Sequence, residues 1–501
     1  METSFIENLA LGFGVALTLN NLLFALIGAL IGTAIGVLPG IGPVATISLL
    51  LPITFGQPAT TAIIMLAGIY YGAQYGGSTT AILLNLPGEI SSVVTTLEGY
   101  KMARNGRAGA ALATSAIGSF FAGSVATILV AASGPLLTSV ALSFGPADYF
   151  SLMLLGLIIS AVLAQGSVLK SVGMVVLGVA LGLVGTDVQT GQQRFTFGIP
   201  ELSDGLSFVA LAMGVFGIAE IILNLERPEA REVLKTKVEG LFLTKDEWKR
   251  ATPSVLRGTV LGSALGILPG GGASLASFGS YMMERKVSKG RDKFGQGAIE
   301  GVAGPEAANN AAAQTSFIPL LTLGIPSNAV MALMVGALII QGIQPGPRMV
   351  EAQPDLFWGL IASMWIGNVM LLVINLPMIG VWVKLLQVPY KFLYPAILVF
   401  CCIGAYSVNN NVFDVYSTAL FAVLGYMFNK LKMEPAPLLI GFVLGPMMEE
   451  HLRRAMLLSR GDPMVFFERP ISATMLVIAA IALGAMLLPN LRRGKEQAMA
   501  G

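Results

Sequence analysis

Charge is scarce in this sequence. Of its 501 residues, 12% are Asp, Glu, Lys or Arg, about half the roughly 25% of a soluble domain. A soluble chain of this length would form about three domains, and 58 charged residues cannot coat three water-facing shells. Histidine is nearly absent: His451 stands alone, which excludes a histidine-built zinc or copper centre. The two cysteines, Cys401 and Cys402, are neighbours in an apolar run and imply no disulfide framework. A net charge of +2 is too small for a nucleic-acid-binding surface. No nucleophile–base pairing is visible, so an enzyme is not expected. No Lys or Arg precedes Lys101, and Glu2 and Glu7 precede the first apolar stretch, so no cleaved signal peptide is expected.

What the chain has in quantity is apolar and helix-breaking residues: 54% hydrophobic, 59 Gly and 26 Pro, with a mean hydropathy of +0.76. Breakers at membrane depth are tolerated where helices pack together or line a cavity. Apolar segments near the length of a crossing lie at 108–132, 149–165, 168–186, 206–224, 356–379, 393–406, 412–428 and 471–488. The fold class is therefore an all-α polytopic membrane protein of about 10–12 transmembrane helices. Basic residues cluster at 101–107, 227–257, 284–293 and 492–495, which the positive-inside rule places in the cytoplasm. Four crossings between the first two clusters keep both on one side. The apolar pieces 254–267 and 273–283 are too short to span and are flanked by basic loops. They predict a re-entrant hairpin with its tip at 268–272.

The first half contains the same construction. GALIGTAIGVLPGIG (28–42) and GTVLGSALGILPGGG (258–272) share eight identities in fifteen. The glycines four apart, Gly28, Gly32, Gly36 and Gly258, Gly262, Gly266, read first as close helix packing. The first hairpin, with its tip near 38–42, ends at an uncharged Gly56-Gln57-Pro58, and one crossing over 59–86 then leads to the basic 101–107 loop. The two hairpins would thus enter from opposite faces as inverted repeats, a pattern of secondary transporters. The predicted domains are 1–226, a cytoplasmic linker 227–253, and 254–501. A second interruption is expected behind each hairpin, Tyr75–Thr80 running to Leu86-Pro87-Gly88 within 59–88, and Pro305–Asn310 running to Ile325–Asn328 within 298–328.

Broken helices expose N–H groups that attract anions and carbonyls that coordinate sodium. The candidate substrate-binding residues are Gly40, Gly42, Gly77, Ser78, Thr79, Gly270, Gly272, Asn309, Asn310, Thr315 and Ser327. The candidate cation-binding residues are Pro39, Gly76, Thr80, Pro269 and Glu306. Glu306 is the lone acid between Pro305 and Pro347, and an intramembrane carboxylate is a functional candidate, although a structural role at an interface reads equally well. No basic residue stands near either motif, so an anion would be held by helix ends and co-bound cations. Asp148, Asp187 and Asp414 read as loop-end caps, and His451 as a solvated loop residue.

The stretches YYGAQYGGSTTAILLNLPGE (70–89), GVLPGIGP (36–43), GPEAANNAAA (304–313), IPLLTLGIP (318–326) and GIQPGP (342–347) resemble the large permease subunit of the tripartite tricarboxylate transporters, over essentially the whole chain. The resemblance implies cation-coupled uptake of organic carboxylates (tricarboxylate, dicarboxylate or aromatic acid) across a bacterial inner membrane. It also implies two partners, a periplasmic solute-binding protein and a small four-helix membrane subunit. Its motifs point to Pro39-Gly40, Tyr75 to Thr79, Pro269-Gly270, Glu306 to Asn310 and Pro326. The chain departs from the family pattern at Gln314-Thr315-Ser316 and Ser327-Asn328. The shortage of intramembrane acids favours Na+ as the coupling ion. A passive anion channel is the alternative; the lack of a ring of like charges counts against it.

Overall fold

The computed structural model describes residues 5–38, 42–141, 143–164, 167–187, 189–226, 240–268, 272–346, 349–385 and 390–487. Helix dominates throughout, as expected for backbone that must satisfy its own polar groups without water. In the first half lie α1 (Phe5–Ala16), α2 (Leu19–Val37), α3 (Pro43–Thr54), α4 (Ala59–Leu84), α5 (Val93–Met102), α6 (Ala108–Ala141), α7 (Pro146–Leu163), α8 (Val168–Gly182) and α9 (Phe208–Glu226). The second half holds α10 (Lys245–Gly266), α11 (Gly272–Val287), α12 (Glu300–Thr315), α13 (Phe317–Leu323), α14 (Ala329–Ile340) and α15 (Pro354–Asn375), then α16 (Tyr390–Asn409), α17 (Val412–Lys430), α18 (Ala436–Leu458) and α19 (Pro470–Leu487). Among the described residues six helical stretches are long and apolar enough to cross a membrane: Leu19–Val37, Ile90–Gly134, Pro146–Leu163, Phe208–Glu226, Pro354–Asn375 and Val412–Lys430. A two-stranded ribbon, Gly185–Thr186 with Gln193–Arg194, marks the loop after α8.

Small residues set the central packing. A Cβ added at Gly28, Gly32 or Gly36 would drive into the carbonyl oxygens of Met65, Ile69 and Ala73, so α2 and α4 run parallel with their backbones touching. Gly258, Gly262 and Gly266 meet the carbonyls of Gly304, Ala308 and Ala312 in the same way, so α10 and α12 are also parallel. This is helix association through small residues where no hydrophobic force separates protein from lipid. The second hairpin closes on itself: Glu284 of α11 accepts from Arg257 Nε (2.8 Å) and Ser254 (2.8 Å) of α10, which brings the end of α11 back beside the start of α10.

The crystal-like regularity of these helices hides two matched breaks. Helix α4 ends on Asn85 (φ 59°) and α13 on Gly324 (φ 74°), both left-handed caps. Non-helical Leu86-Pro87 and Ile325-Pro326 follow. Each chain then restarts from an extended N-cap, Glu89 (φ −152°) before the turn 90–92 and Asn328 (φ −156°) before α14. The returning arm of each hairpin packs beyond the break of the other half: α3 against α14, and α11 against the 90–92 turn and α5.

The basic segments share one end. Lys101 donates to the Gly295 carbonyl, Asn105 to that of Gln296 (3.2 Å), and Arg107 pairs with Glu247. Glu98 accepts from Tyr281 Oη (2.9 Å) and from the amides of Gly297 (2.8 Å) and Ala298 (2.9 Å). At a different place, Gln341 after α14 donates to the Thr54 and Gln57 carbonyls (3.0 and 3.3 Å) beyond α3.

Several expectations change. The segments 75–80 and 305–310 are continuous helix within α4 and α12, so the interruptions are confined to 85–89 and 324–328. Within 75–80, Gly76 serves the contact with α2 and Gly77 packs on Glu89 instead. Of the expected linker 227–253, residues 227–239 lie outside the described residues, and α10 has begun by Lys245, started by a capping box in which Thr244 and Glu247 bond each other's amides (3.3 and 2.8 Å). His451 is not in a loop: it lies within α18 and stacks on Tyr149, 4.9 Å between ring centres. Asp148 and Asp187 do act as caps, accepting from the Gly145 amide (2.8 Å) and the Gln189 amide (2.9 Å) respectively. Asp414 lies in the first turn of α17 and accepts from Asn409 (2.7 Å).

Candidate functional site

Pro39, Gly40, Pro269 and Gly270 lie outside the described residues. Their neighbours Gly42 and Gly272 start the returning arms. Gly42 lies close to the Glu220 carboxylate of α9, and a Cβ on Gly42 would meet nothing within 4 Å. Gly272 has φ +48°, and its Cβ would lie 3.4 Å from Asn328. The second tip thus sits beside the second break.

Around Glu306 the structure brings together much of what the sequence singled out. This side chain is fully buried on α12. It accepts from Ser78 of α4 (2.5 Å), from Thr95 of α5 and from Asn309 (3.4 Å), and Ser119 of α6 donates to its backbone carbonyl (3.3 Å). Three elements of the first half therefore converge on one residue of the second, two of them on its carboxylate. Asn310 braces the turn beneath, donating to Ser119 Oγ (2.7 Å) and to the Glu306 carbonyl (3.1 Å). All the donors to the carboxylate are neutral, and among the described residues no ion pair includes it. A buried carboxylate without a counter-charge costs several kcal/mol, so the site either protonates or recruits a cation.

The other candidates divide by what they touch. Gly76 faces the backbone of Thr33 and Val37, and Gly77 packs on Glu89 (2.9 Å to Cγ from an added Cβ). Both lie inside α4, with no free backbone to offer a ligand. Thr80 donates to the Val37 carbonyl (2.6 Å) at the end of α2. Thr79 reaches only the Tyr75 carbonyl, at 3.5 Å. Thr315 donates back to Ala311 (3.1 Å), and Ser327 to the Ser316 carbonyl (3.4 Å) across the second break.

Residues absent from the sequence-based set also stand here. Glu89 caps the turn after the first break and accepts from Ser91. Tyr70 of α4 is buried close to Ser316 and Asn328 at the second break. Tyr71 Oη, Tyr75 Oη, Gln314 Oε1, Asn328 Nδ2 and Asn375 Oδ1 are buried with no partner, and buried polar groups are rarely left so. Glu89 and Glu220 were legible by the rule that selects Glu306, a lone acid amid apolar sequence. Asn375 carries no such signal.

A predominantly helical, multi-pass chain with a buried carboxylate that no cation among the described residues pairs fits the class of membrane transport proteins. Residues 22–440 match the model of the tripartite tricarboxylate transporter TctA family, and the chain belongs to that family, the family of the large membrane subunit. A protein of Agrobacterium vitis described as an uncharacterized 52.8 kDa protein in the TAR-I ttuC' 3'region is 60% identical over 492 residues, covering 98% of both chains. A second A. vitis protein, described as uncharacterized in the TAR-II ttuC' 3'region, is 61% identical over 236 residues, 47% of this chain and 98% of its own. No solved structure matches.

Proposed function

We propose that the chain is the permease of a binding-protein-dependent secondary transporter that imports organic carboxylates into bacteria across the inner membrane, driven by a cation gradient, Na+ by preference. A periplasmic solute-binding protein would deliver the cargo and a small four-helix membrane subunit would complete the assembly. Residues 1–226 and 254–501 act as inverted repeats joined by 227–253. Cargo is held between the hairpin tips and the breaks at 85–89 and 324–328, where N–H groups and helix ends favour negative charge.

The observation that carries this reading is the exchange between halves: each hairpin arm rests beyond the other half's break, with Glu306 bonded at its carboxylate by α4 and α5 and at its carbonyl by α6. Movement of one half would remake the site and its counter-charge together. The test is uptake in proteoliposomes containing both membrane subunits and the binding protein. An inward Na+ gradient should drive accumulation of a carboxylate above its outside concentration. Glu306→Gln, which keeps the shape, should reduce accumulation about 100-fold or more while leaving the protein inserted. Downhill flux that no gradient turns uphill would mean a channel and end the proposal.

A further inference from the structure

Between α4, α6 and α15 lies a small internal cavity of about 10 Å3, lined by Tyr75, Thr79, Leu112, Ser115, Ala116 and Asn375. A space of roughly 10–15 Å3 holds one water-sized particle. Tyr75 and Asn375 are 3% and 5% exposed, and Tyr75 Oη and Asn375 Oδ1 are without a partner. The Asn375 amide nitrogen already donates to the Leu371 carbonyl (2.8 Å), so the atom left over is an acceptor. Thr79 makes one long bond, and its oxygen keeps lone pairs to offer. Ser115 and Tyr75 both lie close to the Glu306 carboxylate, which places its charge beside this space.

The lining therefore supplies neutral oxygens beside an uncompensated negative charge. Hard cations choose oxygen ligands, and a positive ion here would offset the burial cost of Glu306. No group of three His, Cys, Asp or Glu occurs among the described residues, so the donor set suits a monovalent ion rather than a divalent or transition metal. We infer that this cavity seats a single Na+, ligated by oxygens of Tyr75, Thr79, Ser115 and Asn375 and charge-balanced by Glu306. Its role as the coupling site rests on the permease reading above; its occupancy does not. The site adds Asn375, from a helix outside both hairpins, to the machinery.

The experiment uses the full-length purified subunit in nanodiscs, titrated with NaCl against choline chloride at constant ionic strength. Thermal midpoint and binding of radioactive sodium are followed, with KCl in parallel. Na+ should raise the midpoint saturably while K+ does not. Asn375→Leu, Ser115→Ala and Thr79→Val should each raise the half-saturating Na+ concentration about tenfold, the effect of losing one good ligand. Should one variant fail to fold, the other two carry the comparison. A wild-type protein indifferent to Na+, or variants whose midpoint falls while their Na+ response is unchanged, would overturn the site. If the subunit binds no Na+ yet the complete system accumulates carboxylate, this inference fails and the permease reading stands. Binding here without any uptake by the complete system does the reverse.

Discussion

At the scale of single residues, one amino acid performs two unrelated tasks, and only packing tells them apart. Gly32 exists because the Ile69 carbonyl occupies the place of a Cβ; Gly42, in ordinary extended backbone (φ −77°) with open space around it, does not. Gly32→Val should therefore destabilise the protein by about 3 kcal/mol or more, since backbone cannot move aside as a side chain can. Gly42→Ala should leave the thermal midpoint within a degree or two, so any loss of uptake in that variant reports ligand approach. Thermal unfolding in detergent beside an uptake assay checks both. The same ambiguity explains why 75–80 reads as a break from the sequence: Gly76 and Gly77 look like backbone exposed to a ligand and are contact points for α2 and Glu89. Glu306 stands out in the sequence as a lone acid in an apolar stretch, which leaves a functional and a structural role equally open. Its partners Ser78, Thr95 and Ser119 come from three helices, and no local pattern announces such a convergence.

At the scale of elements, the hairpin glycines and the Leu-Pro and Ile-Pro breaks stand plainly in the sequence, while the caps that make the breaks symmetric do not. Asn85 and Gly324 occupy equivalent left-handed positions with different side chains, and Glu89 and Asn328 equivalent N-caps. Identity alone aligns neither pair, because backbone conformation is shared where side chains are not. Gly324 also lies against the Pro345 carbonyl (2.5 Å from an added Cβ). Gly324→Val should thus cost about 2 kcal/mol from strain and contact together, whereas Asn85→Gly should change stability by less than about 0.5 kcal/mol. Chemical denaturation of the two variants separates these outcomes. The loop after α8 offers a pH-dependent element. Its Asp187 carboxyl is lowered to about 2 by the Gln189 amide, with the Thr190 amide and the Arg453 guanidinium adding to it. A carboxyl depressed below its ordinary value of about 3.9 stabilises the fold above that pH and loses the contribution as pH falls towards 2. Amide exchange over residues 183–207 should accelerate as pH drops below about 4 after correction for intrinsic rates, and Asp187→Asn should shrink that step.

At the scale of the whole molecule, the crossing count and the charge pattern agree on a single arrangement. Four helices, α6, α7, α8 and α9, separate Arg107 from Lys245; if each crosses once, as the sequence predicts, both ends of that series lie on one side. The cross-links of Lys101, Asn105 and Arg107 to Gly295, Gln296 and Glu247 hold the basic segments of the two halves together there. The positive-inside rule predicts that this side is the cytoplasm. Gly56 and Gln192 must then face the opposite compartment, Gly56 before the single passage from α4 to α5, Gln192 three passes after Arg107. Gly56 has open space around it and Gln192 is exposed, so each accepts a cysteine without repacking. In a background lacking Cys401 and Cys402, a membrane-impermeant thiol reagent added outside spheroplasts should label Gly56→Cys and Gln192→Cys. It should leave Asn105→Cys and Lys249→Cys untouched until the membrane is opened. Labelling of Gly56→Cys from the cytoplasmic side alone would mean that both hairpins enter from the same face. The two halves could then no longer exchange access to a shared site by moving against each other.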